Sequence, residues 1–445
     1  MFNANIKLRF IRFAYHLIRE PNNRQDAKMA EVIPFRGIIF NQQKVLGDDV
    51  IAPPYDIISS EQRDELYQKS PYNVVRIDFG KELPGDTDTE NRYVRAEKEL
   101  SGWLKEEILV RDGGHCFYSY VVDYRIADEA KTLRGLLAMV KIEELGKGVY
   151  PHEATHSKPK SDRLNLMRAC FGNISPIYSL YHSPERIASK ILAEAEGEAT
   201  FSATDSDGAG HKLFRLSDET LIGRIKQELS DKAVFIADGH HRYEVALEYK
   251  REMDAKHGAK DDNPWNYVLM FLANMSDEGI TILPTHRIVK GLPAAESVLS
   301  KIGPHFEVVA LDDGDMASKI AKLLAKSGRN AFGLYLTASD KWYLLKYRGA
   351  GLDNVEPPLR ELDVVLLHEL ILKKDLGITG VVYEMDAHVS VAKARNGGFD
   401  AVFFLNPTDA GDVEKVALSN LRMPPKSTYF YPKLLTGMVI NSFKN

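Results

Sequence analysis

Cysteine is nearly absent: Cys116 and Cys170 are the only two in 445 residues, and neither stands in a CxxC or CxH spacing. That usage argues against a disulfide framework and a thiolate metal pair, and both residues read as small buried hydrophobes in a reducing cytoplasm. Long apolar runs are missing as well. With no stretch of about 18 uninterrupted apolar residues, no membrane-spanning helix is expected. A cationic excess is also lacking, since the formal net charge is −5, so the chain has no electrostatic footprint for nucleic acid. Internal repeats and low-complexity segments are absent too. What remains is a soluble folded chain, 44% hydrophobic, long enough for real cores and two to three domains.

Residues 1–28 stand apart. Ile6, Leu8, Phe10, Ile11 and Phe13 are interleaved with Lys7, Arg9 and Arg12, so the run lacks the clean apolar centre of a signal peptide and reads as a basic extension outside the fold. Residues 29–148 form an N-terminal α/β region: strands are expected over 38–40, 73–78, 116–124 and 134–142, with helices over 61–68, capped by Ser59 or Ser60, and over 91–106. Residues 149–290 form a central unit. In 291–445, strands at 306–310, 331–336, 342–347 and 401–405 alternate with helices at 362–373 and 389–396, and a proline-stiffened loop around Lys426 closes the region.

The densest chemistry lies at Ala233-Val-Phe-Ile-Ala-Asp-Gly-His-His-Arg242. A strand, a glycine turn and a helix over 243–253 bring free backbone N–H groups and the positive end of a helix dipole to one point, which suits a phosphate. His240, His241 and Arg242 add donors there. Asp238 either holds a Mg²⁺ or caps the helix.

A second segment runs from Tyr150 to Leu164. His152-Glu153-Ala154-Thr155-His156 matches the H-E-x-x-H zinc signature, but that chemistry needs both histidines one turn apart on a helix. Pro151 and Pro159 bracket the pentad and disfavour a regular helix through it, and no third ligand is evident. Glu153 is better read as a carboxylate in a loop beside cations. Lys158, Lys160, Arg163 and Arg168 cluster close by in an acidic protein, which suggests an anionic ligand. The same reading extends to Lys426, Ser427, Thr428 and Lys433, held between prolines.

With these residues in view, the chain resembles a microbial family long labelled as of unknown function. The carriers are Ile51-Ala-Pro-Pro-Tyr-Asp56, Pro151-His-Glu153, Lys158-Pro-Lys-Ser-Asp-Arg-Leu164, Asn173-Ile-Ser-Pro-Ile177, Ile236-Ala-Asp-Gly-His-His-Arg-Tyr-Glu244, Leu283-Pro-Thr-His-Arg287, Leu405-Asn-Pro-Thr408 and Lys426-Ser-Thr-Tyr-Phe-Tyr-Pro-Lys433. The order Pro-His-Glu, Asp-Gly-His-His-Arg, a threonine-bearing strand and Pro-Lys-Ser-Thr is also similar to that of the free-serine kinases of the ParB/sulfiredoxin-like superfamily.

This resemblance implies a mixed α/β fold: a nucleotide-binding module at 149–290, with additional α/β regions before and after it. It implies ATP or ADP and Mg²⁺ as cofactors and a hydroxyl amino acid as acceptor. Glu153, with His152, would be catalytic, and Asp238, Gly239, His240, His241 and Arg242 would grip phosphates, Asp238 also holding the metal. Lys158, Lys160, Arg163, Thr285, His286, Lys426, Ser427 and Thr428 would lie near the acceptor. Two departures stand out: 84 residues separate Glu153 from Asp238, and a whole region precedes Tyr150. A ParB-like nucleotide switch and an H-E-x-x-H zinc hydrolase are the alternatives from other classes.

Overall fold

Two long strands, Phe117–Ile126 and Glu129–Lys141, are apolar and buried through most of their length. Strands covered on both faces leave no solvent side and must be paired at both edges. They form a hairpin in register from Ile126 opposite Glu129 to Tyr118 opposite Leu137, and a nine-stranded mixed sheet grows outward from it. On one flank lie Gly210–Leu216 and Phe201–Thr204. On the other come Tyr267–Asn274, Ile177–Tyr181, Val234–Asp238 and Val149–Pro151, while Val32–Ile33 pairs with the end of Glu129–Lys141. In this computed structural model the described residues are 30–154, 158–311, 314–378 and 380–444. The basic extension 1–28 lies outside them.

The second sheet is antiparallel and six-stranded. Its order is Phe306–Leu311, Lys341–Tyr347, Ala331–Leu336, Ala401–Phe404, His286–Val289, Val381–Glu384. Its inner face joins the same hydrophobic cluster as the first sheet. The chain end crosses back: Tyr429–Tyr431 pairs with Thr281–Leu283, Thr436 bridges Ala52, Ile440 bridges Ile38, and Asn441 pairs with Asn173.

The mixed α/β class is as the sequence implies, but the boundaries need correction. The division at 148/149 falls inside one sheet, because strands on both sides of it pair through Tyr267–Asn274 and Ile177–Tyr181. The division at 290/291 lies too late, since His286–Val289 already belongs to the second sheet.

The strand expected over 73–78 is a helical turn, Val75–Asp78. Asn73 decides this: its side chain accepts from Val75 N at 3.0 Å and donates to Asp49 O and Ile51 O, an alternative to the ladder that Asn and Asp readily offer. The helix at Ser60–Lys69 has the expected cap, with Ser59 and Gln62 in a reciprocal capping box. The helix Leu366–Asp375 is wound with i→i+5 bonds, a rare widened form that is frequent at functional sites.

Candidate functional site

Val149–Pro151 runs parallel to Val234–Asp238, with Pro151 opposite Ile236. Residues leaving the carboxyl ends of both strands therefore emerge side by side, the usual place for a ligand in such sheets. His152 and Glu153 leave one strand; Gly239 and His240 leave the other.

Three hydrogen bonds lock the meeting point. His152 is fully buried, and its Nδ1 lies 2.8 Å from Ile236 O. A carbonyl can only accept, so Nδ1 carries a proton. The His152 backbone N–H donates to His240 Nε2 at 3.3 Å, so that nitrogen is unprotonated, and the two rings sit edge to face at 4.8 Å. His240 is accordingly held neutral: burial first, then the neighbouring His152, push it down to about 3. On its far side His152 Nε2 is 2.9 Å from Thr428 Oγ1.

Glu153 faces the same loop. Its Oε1 accepts from Thr428 N at 3.0 Å and Thr428 Oγ1 at 3.1 Å, and its Oε2 accepts from Lys426 N at 3.2 Å. Burial alone would raise its pKa, but the His152 ring and the Thr428 N–H outweigh burial and hold the carboxyl at about 2. The backbone here is extended, bridged in parallel to Met423, so His152 and Glu153 do not sit on a zincin helix. His156 lies outside the described residues.

The glycine turn is built differently. Gly239 adopts φ +93°, a conformation that favours glycine, and a Cβ there would lie 2.8 Å from Arg242 Nε and displace that guanidinium. The helix His240–His257 that follows has no side-chain cap at its start, which leaves its first N–H groups to other acceptors. Arg242 donates from Nη1 to Pro176 O, and its Nε is buried without a partner among the described residues. Asp238 faces Lys433 Nζ at 3.4 Å and Arg242 Nη2 at 3.7 Å. Burial opposes its ionisation, yet Lys433, Arg242 and Lys426 pull it well below the usual carboxylate range. Its charge is already matched by side chains, and among the described residues no group of three or more His, Cys, Asp or Glu forms a metal cluster. Asp238 alone is a thin donor set for Mg²⁺, which takes one or two carboxylates together with phosphate oxygens and water.

Several expected acceptor contacts turn out to be spoken for. Arg163 is buried, donating to Asp78 Oδ1 at 2.9 Å and Asp78 O at 2.7 Å, with its guanidinium 3.9 Å from the Tyr55 ring. It ties the Ile51-Ala-Pro-Pro-Tyr-Asp56 loop to the fold instead of meeting a ligand. Lys160 pairs with Glu244 at 2.7 Å, joining the helices Lys158–Cys170 and His240–His257. The Lys158 side chain lies outside the described residues.

His286 points into the second core against Phe404, and burial lowers its titration to about 4. Ser427 Oγ donates to Pro424 O at 2.6 Å, while Thr408 Oγ1 donates to Ser427 O at 2.8 Å, so both hydroxyls shape the loop. Thr285 Oγ1 is buried with no partner among the described residues. Lys426 is exposed with φ +58°, strained for a lysine and fixed by its neighbours.

Lys433, named in the sequence with the Lys426 loop, is the cation facing Asp238. One site residue was absent from the sequence assignment: Arg287, fully buried beside that loop. Period-two alternation along His286–Val289 would have found it. His286 and Ile288 share one face, which leaves Arg287 on the other.

No curated protein matches the chain in sequence. Among solved structures it is similar to a conserved hypothetical protein from Pyrococcus furiosus, at 16% identity over 69% of this chain and 94% of that chain, with a TM-score of 0.33. It is similar to a free serine kinase in complex with AMP, at 15% identity over 69% and 91% of the two chains, with a TM-score of 0.36. It is also similar to SbnI with a C-terminal truncation from Staphylococcus aureus, at 10% identity over 67% and 85%, with a TM-score of 0.33. A family model described as a protein of unknown function, DUF1015, matches residues 32–365, and the chain belongs to that family.

Proposed function

We propose that the protein is a nucleotide-dependent small-molecule kinase with a ParB/sulfiredoxin-like module, transferring a phosphoryl group to the hydroxyl of free L-serine. The observation that carries this reading is the hydrogen bond from the His152 backbone to His240, which joins a part-buried carboxylate to an uncapped helix start among cations. Phosphoryl transfer asks mainly for positioning and charge neutralisation, and the two halves supply one each. The terminal phosphates of ATP or ADP take the N–H groups after Gly239, with Arg242, Lys433 and Lys426 balancing their charge. Asp238 would hold Mg²⁺, which would supply neutralisation of the charge developing on the phosphate oxygens.

In the transfer, the acceptor oxygen forms a bond to the terminal phosphorus. The bond from that phosphorus to the bridging oxygen breaks, its electron pair leaving with ADP or AMP, and the hydroxyl proton goes to Glu153. A carboxyl held at about 2 is ionised and a weak base, so it takes the proton late, once bonding to phosphorus has made the hydroxyl acidic. A loose, metaphosphate-like transition state demands no more.

The test is a panel of hydroxyl acceptors incubated with ATP or ADP and Mg²⁺, reading phosphorylated product by mass spectrometry, with Glu153→Gln alongside. The variant should turn over about 10³-fold more slowly at unchanged nucleotide affinity. Near-normal turnover would remove Glu153 from the role. Nucleotide binding with no transfer to any acceptor would favour the ParB-like switch.

A further inference from the structure

Arg287 is the largest fully buried side chain among the described residues, and none of their carboxylates lies within salt-bridge distance of it. An uncompensated buried guanidinium is costly unless its hydrogen bonds are well placed. It donates from Nη1 to Thr285 O, from Nη2 to Lys426 O at 3.0 Å and from Nε to His368 Nε2 at 3.3 Å. Lys426 is therefore gripped at both ends of its backbone: its carbonyl by Arg287, its N–H by Glu153 Oε2 at 3.2 Å.

We propose that Arg287 is a positioning residue for proton transfer, acting on Glu153 through the strained backbone of Lys426. The proposal rests on the kinase reading, in which Glu153 receives the proton. Complete burial keeps Arg287 from the substrate, so its influence passes through the loop. Its strand alternates so that the guanidinium meets the loop while His286 fills the second core. Its third acceptor, His368, is carried by the widened helix Leu366–Asp375. The titratable groups facing Glu153 are His152 on its own segment, His240 at the helix start and Arg287 from the second sheet. Arg287 thus lets the second sheet, which the Asp238 turn does not touch directly through any of these bonds, set the geometry of the carboxylate.

The test compares Arg287→Lys and Arg287→Gln in the full-length protein, each assayed per mole of folded enzyme with nucleotide affinity measured separately. Lysine keeps the charge but cannot span three acceptors, so kcat should fall about tenfold while nucleotide Kd and the acidic limb of the pH–rate profile stay in place. Glutamine removes the charge too. A lost cation raises the pKa of a nearby carboxylate, so the acidic limb should also move to higher pH. A purely structural role would lower Tm with kcat and the limb unchanged in both, and that result overturns the proposal.

Should neither variant fold, His368→Leu, which strips one acceptor from the guanidinium, decides the matter. A fall in kcat of about threefold at constant nucleotide Kd is expected, and wild-type kcat overturns it. Failure of the kinase reading looks different: there the wild-type protein phosphorylates no hydroxyl acceptor at all.

Discussion

The two halves of the site hold their carboxylates by different means. Glu153 is anchored by backbone: two main-chain N–H groups and one hydroxyl from a single loop reach its oxygens at 3.0 to 3.2 Å. Asp238 is balanced by side chains at longer range, Lys433 at 3.4 Å and Arg242 at 3.7 Å. The first arrangement fixes a direction, because backbone donors cannot swing away. The second stores charge that can be redistributed, because a lysine on a flexible stem can leave one anion for another. The proposed phosphoryl transfer calls for both, a rigid group where a proton moves and adaptable cations where a polyphosphate arrives and departs.

The sharpest way to break the comparison is to loosen the rigid half alone. Thr428→Val keeps the backbone N–H to Glu153 but removes the hydroxyl between Glu153 and His152. Losing a hydrogen bond to a charged group costs about 2 kcal/mol, so kcat should fall roughly thirtyfold with nucleotide affinity unchanged. An equal loss in both constants would mean that the halves are not separable. The converse variant is Lys433→Met. Here the nucleotide Kd, measured by calorimetry, should rise about tenfold and become less sensitive to salt, since a phosphate-facing cation has gone, while kcat at saturation changes little. A kcat defect exceeding the binding defect would place Lys433 at the reacting phosphorus instead.

The same contrast explains what was legible in the sequence. The glycine turn is local, a strand, a φ-positive residue and a helix within a few positions, so the chemistry at 238–242 could be read from adjacent residues. The carboxylate half is assembled from segments more than 270 residues apart in the chain, as between Glu153 and Lys426. Motif resemblance could suggest that these segments meet, whereas periodicity could not. Arg163 misled for a related reason. Its cationic cluster suggested an anionic ligand, but the anion is Asp78, 85 residues upstream, on a turn whose apolar residues fit a strand equally well until Asn73 bonds locally. At 285–287 the histidine drew attention by its chemistry, while alternation along the strand gives the site face to Arg287.

The smallest effect concerns pH, and it separates the halves by their histidines. His240 titrates at about 3 in the fold against an ordinary 6.5, because it is buried and accepts the His152 N–H. The unfolded chain takes up that proton below pH 6.5 while the folded one does not, so the folded state loses stability as pH falls from 6.5 toward 3 and keeps it in full above 6.5. Glu153, lowered from 4.5 to about 2, acts in the same direction but only below pH 4.5. Between pH 6.5 and 5 the destabilising slope comes from histidines: His240 in the turn, His286 in the second sheet and His368 on the widened helix, the last two each lowered to about 4 by burial. Asp363, raised by burial to about 6, works the opposite way. Each histidine contributes up to about 1.4 kcal/mol per pH unit. His240→Asn, whose side-chain oxygen can still accept from His152 N, should remove one such contribution when urea unfolding is compared at pH 7, 6 and 5. An unchanged slope would mean that His240 is not held neutral, and its Nε2 could then not accept the His152 N–H that joins the two halves.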